Sequence, residues 1–184
     1  MQSRSMLRQS LPLLILLGIA EAGAGGVLGG FIETFNQIDG LILLIPALIA
    51  LRGYIGGAMA SRLGSAIHLG LISSENVMGR IARMNIKANI VLSFMLTIVS
   101  LGYAFTLSMV LNREVDLLLL GAVVMTAALA SALLLSLLTL LIIKVSFMRE
   151  LDPDNITSPM VATLGDAVTL GCLVLAAGTM GGLL

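Results

Sequence analysis

Asp166 is the residue from which any chemistry has to be argued. It is the only acid in the apolar run from Pro159 to Leu184, which the chain enters through the polar turn DPDNITSP. Thr163 and Thr169 stand three residues to either side, and i, i+3 spacing places all three on one helical face. A carboxylate between two hydroxyls makes a hydrophilic strip. Hard divalent cations take oxygen ligands and magnesium sheds water reluctantly, so one carboxylate per subunit, with water and carbonyls, suits a hydrated ion. The competing reading is a structural aspartate, protonated or paired with a buried cation such as Arg52. Spacing alone leaves both open.

An ionisable side chain inside a span costs about 3 kcal/mol on insertion scales and as a rule faces a cavity or a partner. Glu21 and Arg52 share that position with Asp166, and each is a candidate partner for the other. Arg62 and His68 lie further along the same apolar run as Arg52, where a long side chain can reach the interface. The stretch LLIPALIALRGYIGGAMASRLGSA carries Pro46, Gly53, Gly56 and Gly57 around Arg52. Such residues can free backbone carbonyls, and non-helical backbone at membrane depth is tolerated where it lines a cavity. Small-residue packing explains the same glycines.

Enzyme readings fare poorly. Gly165-Asp166 has no second intramembrane aspartate to complete a protease dyad, and the single histidine, His68, comes without a GxSxG element or an HExxH pair. The one cysteine, Cys172, closes no intrachain disulfide and belongs to no metal motif. The expectation is a protein that is no enzyme, needs no cofactor and binds no nucleic acid.

The elements that must position these residues are spans. Of 184 residues, 58% are hydrophobic and 11% charged, against about 25% charged in a soluble domain. Apolar runs of membrane-spanning length recur throughout. The reading is an all-α integral membrane protein with five transmembrane helices, over roughly Leu11 to Ile32, Leu41 to His68, Ala88 to Leu111, Leu117 to Ile143 and Pro159 to Leu184. Pro46 and its glycines are expected to kink or break the second. The first run is too long for a signal peptide and lacks an A-x-A site, so it is read as a retained helix. Arg4, Arg8, Arg80, Arg83, Lys87, Lys144 and Arg149 fall on one side of these spans and only Arg113 on the other, which predicts a cytoplasmic N-terminus. Gly18, Ala22, Gly26 and Gly30 in the first span, and Gly178 and Gly182 in the fifth, form small-residue ladders that let backbones approach closely.

Two motifs, in order and on the expected spans, carry a resemblance. Asp152-Pro153-Asp154-Asn155-Ile156-Thr157-Ser158-Pro159, followed by Thr163, Gly165 and Asp166, resembles the fifth-helix signature of the MgtE-type divalent-cation channels and their eukaryotic solute-carrier relatives. Pro46-Ala47-Leu48, then Arg52-Gly53 and Met59-Ala60-Ser61-Arg62-Leu63, is similar to that family's second membrane helix. The resemblance covers essentially the whole chain. It implies a homodimer in the cell membrane that conducts divalent cations, magnesium above all, along a path between subunits lined by the second and fifth helices. It implies that Asp166 holds the hydrated ion, with Thr163 and Thr169 as helpers and the backbone at Gly53 and Gly56 lining the path. It further implies a bare pore domain over residues 1–184, without the cytoplasmic sensor of bacterial members.

One departure stands out. Where the family has Gly-Asn after the proline, this chain has Gly53-Tyr54, and Gly56 occupies the place of an acid in eukaryotic-like relatives. A tyrosine there plugs, reshapes or relines the path. Two alternatives therefore stand beside a homodimeric channel: a non-conducting partner in a heteromeric pore, and a transporter coupled to protons or sodium through Asp166 and Glu21.

Overall fold

A computed structural model describes residues 2–72, 78–112, 114–149 and 153–181, with side chains from residue 11 onward and, after the last gap, from residue 157. The chain runs through α1 (Gln2–Gly30), a short α2 (Ile32–Asn36), α3 (Leu41–His68), α4 (Arg80–Val110), α5 (Leu117–Met148) and α6 (Pro153–Gly181). Among the described residues, five helices are long and apolar enough to cross a membrane: Leu11–Gly30, α3, α4, α5 and Thr157–Gly181. These are the five spans expected. Asp152, Arg113 and Gly182 lie outside the described residues.

The sequence-based placement is corrected in several places: α4 begins at Arg80 rather than Ala88, and α5 runs to Met148 rather than Ile143. The first span ends at Gly30, and the residues beyond it form α2, whose Phe35 is fully buried. The α3 helix is unbroken from Leu41 to His68, with Pro46 inside it. The α6 helix starts at Pro153 rather than Pro159. Proline suits a first turn because its missing N–H would be unpaired there anyway; Pro159 then forgoes one ladder bond within a helix held by its neighbours. The shift moves Asp166. It lies thirteen residues beyond Pro153 and fifteen before Gly181, near the middle of α6.

Packing centres on α6, which meets α5, α3, α1 and α2. Towards one end of the bundle, Phe35, Leu41, Leu44, Leu120, Val123, Val124 and Leu173 form an apolar cluster; towards the other, Met59, Leu63, Ala82, Leu140 and Ile143 form a second. Between α3, α5 and α6, Ala60, Leu135, Ile142 and Val161 make a third. The α4 helix is polar inside and apolar outside. Asn89, Ser93, Thr97, Ser100 and Ser108 are buried, while Val91, Phe94, Met95, Ile98 and Val99 face out. That inversion suits lipid, where association rests on close packing and interhelical hydrogen bonds rather than on hiding apolar surface.

Candidate functional site

The centre of α6 presents its polar residues unequally. Thr163 and Thr169 are buried, and Asp166 between them is half-buried. Thr169 turns its hydroxyl back to the Gly165 carbonyl, at 2.6 Å, a local bond that satisfies a hydroxyl without a partner helix. Thr163 instead donates to Glu21 Oε1 on α1, at 2.9 Å. The spacing argument did not foresee that both hydroxyl protons are engaged. Their oxygens keep both lone pairs, the capacity a cation would use.

Glu21 sits near the middle of the first span and is exposed on the protomer surface. Of the long helices α1 contacts only α6, so the Glu21–Thr163 bond lies at its one long seam. Thr163 stands three residues, about one helical turn, before Asp166 on α6. The Glu21–Thr163 bond thus brings a second carboxylate from α1 to the helix that carries Asp166. Among the described residues no three His, Cys, Asp or Glu side chains form a ready-made metal cluster.

The glycines of α3 divide. Gly56 is buried, and a Cβ there would stand 2.8 Å from Val161 Cγ1 and 3.1 Å from Leu135 Cδ2. Only glycine permits α3 to approach α5 and α6 this closely. Leu135 also lies 3.3 Å from the Cβ position of Gly165, one residue before Asp166, so a single leucine spaces both motif helices. Gly53 is open, with no atom within 4 Å of an added Cβ. Tyr54 beside it is 73% exposed, its ring outside the protomer core.

Arg52 points the other way. It is 3% exposed, and its Nη1 donates to Ser93 Oγ on α4 at 2.6 Å. Ser93 passes its own proton to the Asn89 carbonyl at 2.7 Å. Asn89 Nδ2 donates to Ser136 Oγ on α5 at 2.5 Å and comes within 3.7 Å of Met59 Sδ. This chain of contacts ties α3, α4 and α5 together at mid-depth. The two partners considered for Arg52, Glu21 and Asp166, are not the ones it takes: Glu21 belongs to Thr163, and Ser93 receives the guanidinium. The α4 residues were missed in the sequence, although Asn89, Ser93, Thr97 and Ser100 recur at spacings of four, four and three, the signature of a single buried stripe.

Five membrane-length helices around a polar mid-depth layer define a polytopic helical membrane protein. The MgtE family profile, described as a divalent cation transporter, matches residues 45–176, which takes in both motif helices; the chain belongs to this family. It is similar to solute carrier family 41 member 2 of Homo sapiens, 28% identical over 175 residues covering 89% of this chain and 30% of the human protein. It is also similar to member 3 of Rattus norvegicus, 31% identical over 172 residues covering 90% of this chain and 37% of the rat protein, and to member 3 of Mus musculus, 30% identical over 167 residues covering 88% and 34%. The chain thus spans about a third of the length of the curated relatives it matches. The family is one of transporters, not enzymes.

Proposed function

We propose that this chain carries magnesium across the cell membrane as a homodimer, with the ion path between two copies along α3 and α6, the second and fifth spans. The observation that carries the reading is Asp166: a half-buried carboxylate near the middle of a lipid-length helix, in a family of divalent-cation transporters. Such a group is costly in hydrocarbon and is retained where water or a cation meets it. The outer strip of α6 on either side of it carries small residues, Ser158, Ala162, Ala167 and Gly171, as far as the exposed Leu175, which suits close approach by a second helix. Two facing carboxylates would favour a divalent ion, since like charges held together need compensation.

In this reading Asp166 holds the hydrated ion, with the Thr163 and Thr169 oxygens assisting. Gly53 lines the path from α3, and Gly56 sets the distance between the path-lining helices. Residues 1–184 act as one pore domain. Asp166→Asn should abolish magnesium uptake while leaving insertion and dimerisation intact. Undiminished uptake would remove the assignment.

A second reading rests on Tyr54. A tyrosine 73% exposed on the outside of α3, next to Gly53, sits where it can obstruct a path between copies. That makes the chain a non-conducting partner of a related pore. Restored flux in Tyr54→Asn, from an inert wild type, would favour it.

A further inference from the structure

We propose that Glu21 is a positioning and selectivity residue of the Asp166 site: its carboxylate fixes the Thr163 hydroxyl and sets a second negative charge beside the first. The inference rests on the proposed cation path and extends it to α1, a helix outside the pair that lines it. Three separate observations converge on this residue. Thr163 is buried and gives its proton to Glu21 rather than to its own helix, unlike Thr97, Ser100, Thr139 and Thr169, whose hydroxyls turn back to carbonyls four residues earlier. The buried threonine is thereby held in one rotamer, with its lone pairs directed away from the Glu21 side.

The surroundings of Glu21 give the second observation. It is exposed at mid-span on a helix whose membrane segment is almost wholly unburied, and the turns on either side are open. An added Cβ at Gly18 or Gly25 meets no atom within 4 Å. An exposed carboxylate at that depth is not sustained by lipid, so this face belongs against water or a charged solute. The third is placement: the bond holds the Glu21 carboxylate at Thr163, three residues and about one helical turn before Asp166 on the same face of α6, where each charge acts on the other. A cation at Asp166 relieves that repulsion, and a divalent ion relieves it twice over. In a water-filled path, a divalent ion held through its hydration shell about 6 Å from a carboxylate gains a factor of about ten in affinity from that one charge.

The test uses the full chain in proteoliposomes with an internal magnesium indicator, alongside magnesium-dependent protection against thermal unfolding in detergent, which needs no conduction. Glu21→Gln keeps an oxygen that accepts from Thr163 but deletes the charge. It should raise the half-saturating magnesium concentration about tenfold, by both readouts, and admit sodium. Thr163→Val keeps both carboxylates and removes the donor; it should shift half-saturation in the same direction by less, and Thr163→Ser should restore it. Wild-type half-saturation and sodium exclusion in Glu21→Gln would overturn the inference, and so would an unshifted Thr163→Val should Glu21→Gln fail to insert. If Asp166→Asn is inert while Glu21→Gln behaves as wild type, the cation path stands and Glu21 has no part in it. If Asp166→Asn retains full transport and magnesium protection, the path and the role of Glu21 fall together.

Discussion

Replacing Gly56 by alanine would place a methyl carbon 2.8 Å from Val161 Cγ1 and 3.1 Å from Leu135 Cδ2, well inside the roughly 3.5–4.0 Å of an ordinary carbon contact. Neither neighbour can swing aside, because Val161 is 0% and Leu135 1% exposed. The helices must therefore part, at a cost of about 1–3 kcal/mol for overpacking. Alanine's better helix propensity returns about 1 kcal/mol, which leaves a net loss of up to roughly 2 kcal/mol. Gly53→Ala is the matched control. With nothing within 4 Å of its Cβ, it keeps the propensity gain of about 0.5–1 kcal/mol; that gain is common to both variants, so they should differ by the overpacking cost of roughly 1–3 kcal/mol. Reversible unfolding in mixed detergent micelles, followed by helical circular dichroism, measures both. In flux assays the order should reverse in character: Gly53→Ala narrows the path in a stable protein, whereas Gly56→Ala acts through displacement of α6. A Gly56→Ala variant as stable as Gly53→Ala would refute the close approach of α3 to α6.

The mid-depth hydrogen bonds can be tested in the same assay. Ser93→Ala leaves the Arg52 guanidinium without its acceptor and should cost about 1–3 kcal/mol, whereas Arg52→Met, which removes the charge along with its need for a partner, should cost less. Asp116 caps α5 by accepting from the Leu118 and Leu119 amides at 2.9 and 3.0 Å; Asp116→Ala should destabilise by about 1 kcal/mol and Asp116→Ser by little. Gly40, at φ +83° and with Val115 Cγ1 3.3 Å from its Cβ position, should lose about 1–2 kcal/mol on substitution by alanine, since the left-handed backbone strains any Cβ.

The spans were legible in the sequence because an apolar run of membrane length has few other uses. The ends were less so. Proline read as a boundary put the start of α6 at Pro159, but Pro153 takes the first turn and the helix continues through Pro159. Asp166 as an outlier needed only its neighbours in sequence. Its surroundings needed three dimensions: Thr163 and Glu21 are 142 residues apart, and Arg52 and Ser93 are 41 apart. Which faces meet is set by helix packing, and Gly56 shows why spacing misleads there. On one helix Gly53 and Gly56 look equivalent, yet one is open and the other wedged against Val161. The α4 stripe was readable in principle, but serine and threonine satisfy their own hydroxyls within a helix, so their presence in a span raises no alarm.

The most direct test of the central claim is magnesium uptake by the purified chain alone in liposomes, compared with calcium, manganese and sodium. The account predicts saturable magnesium uptake, driven by the magnesium gradient without an opposing sodium or proton gradient, and exceeding that of sodium. Inserted, dimeric protein that passes no magnesium, or passes it only against a sodium or proton gradient, would contradict it.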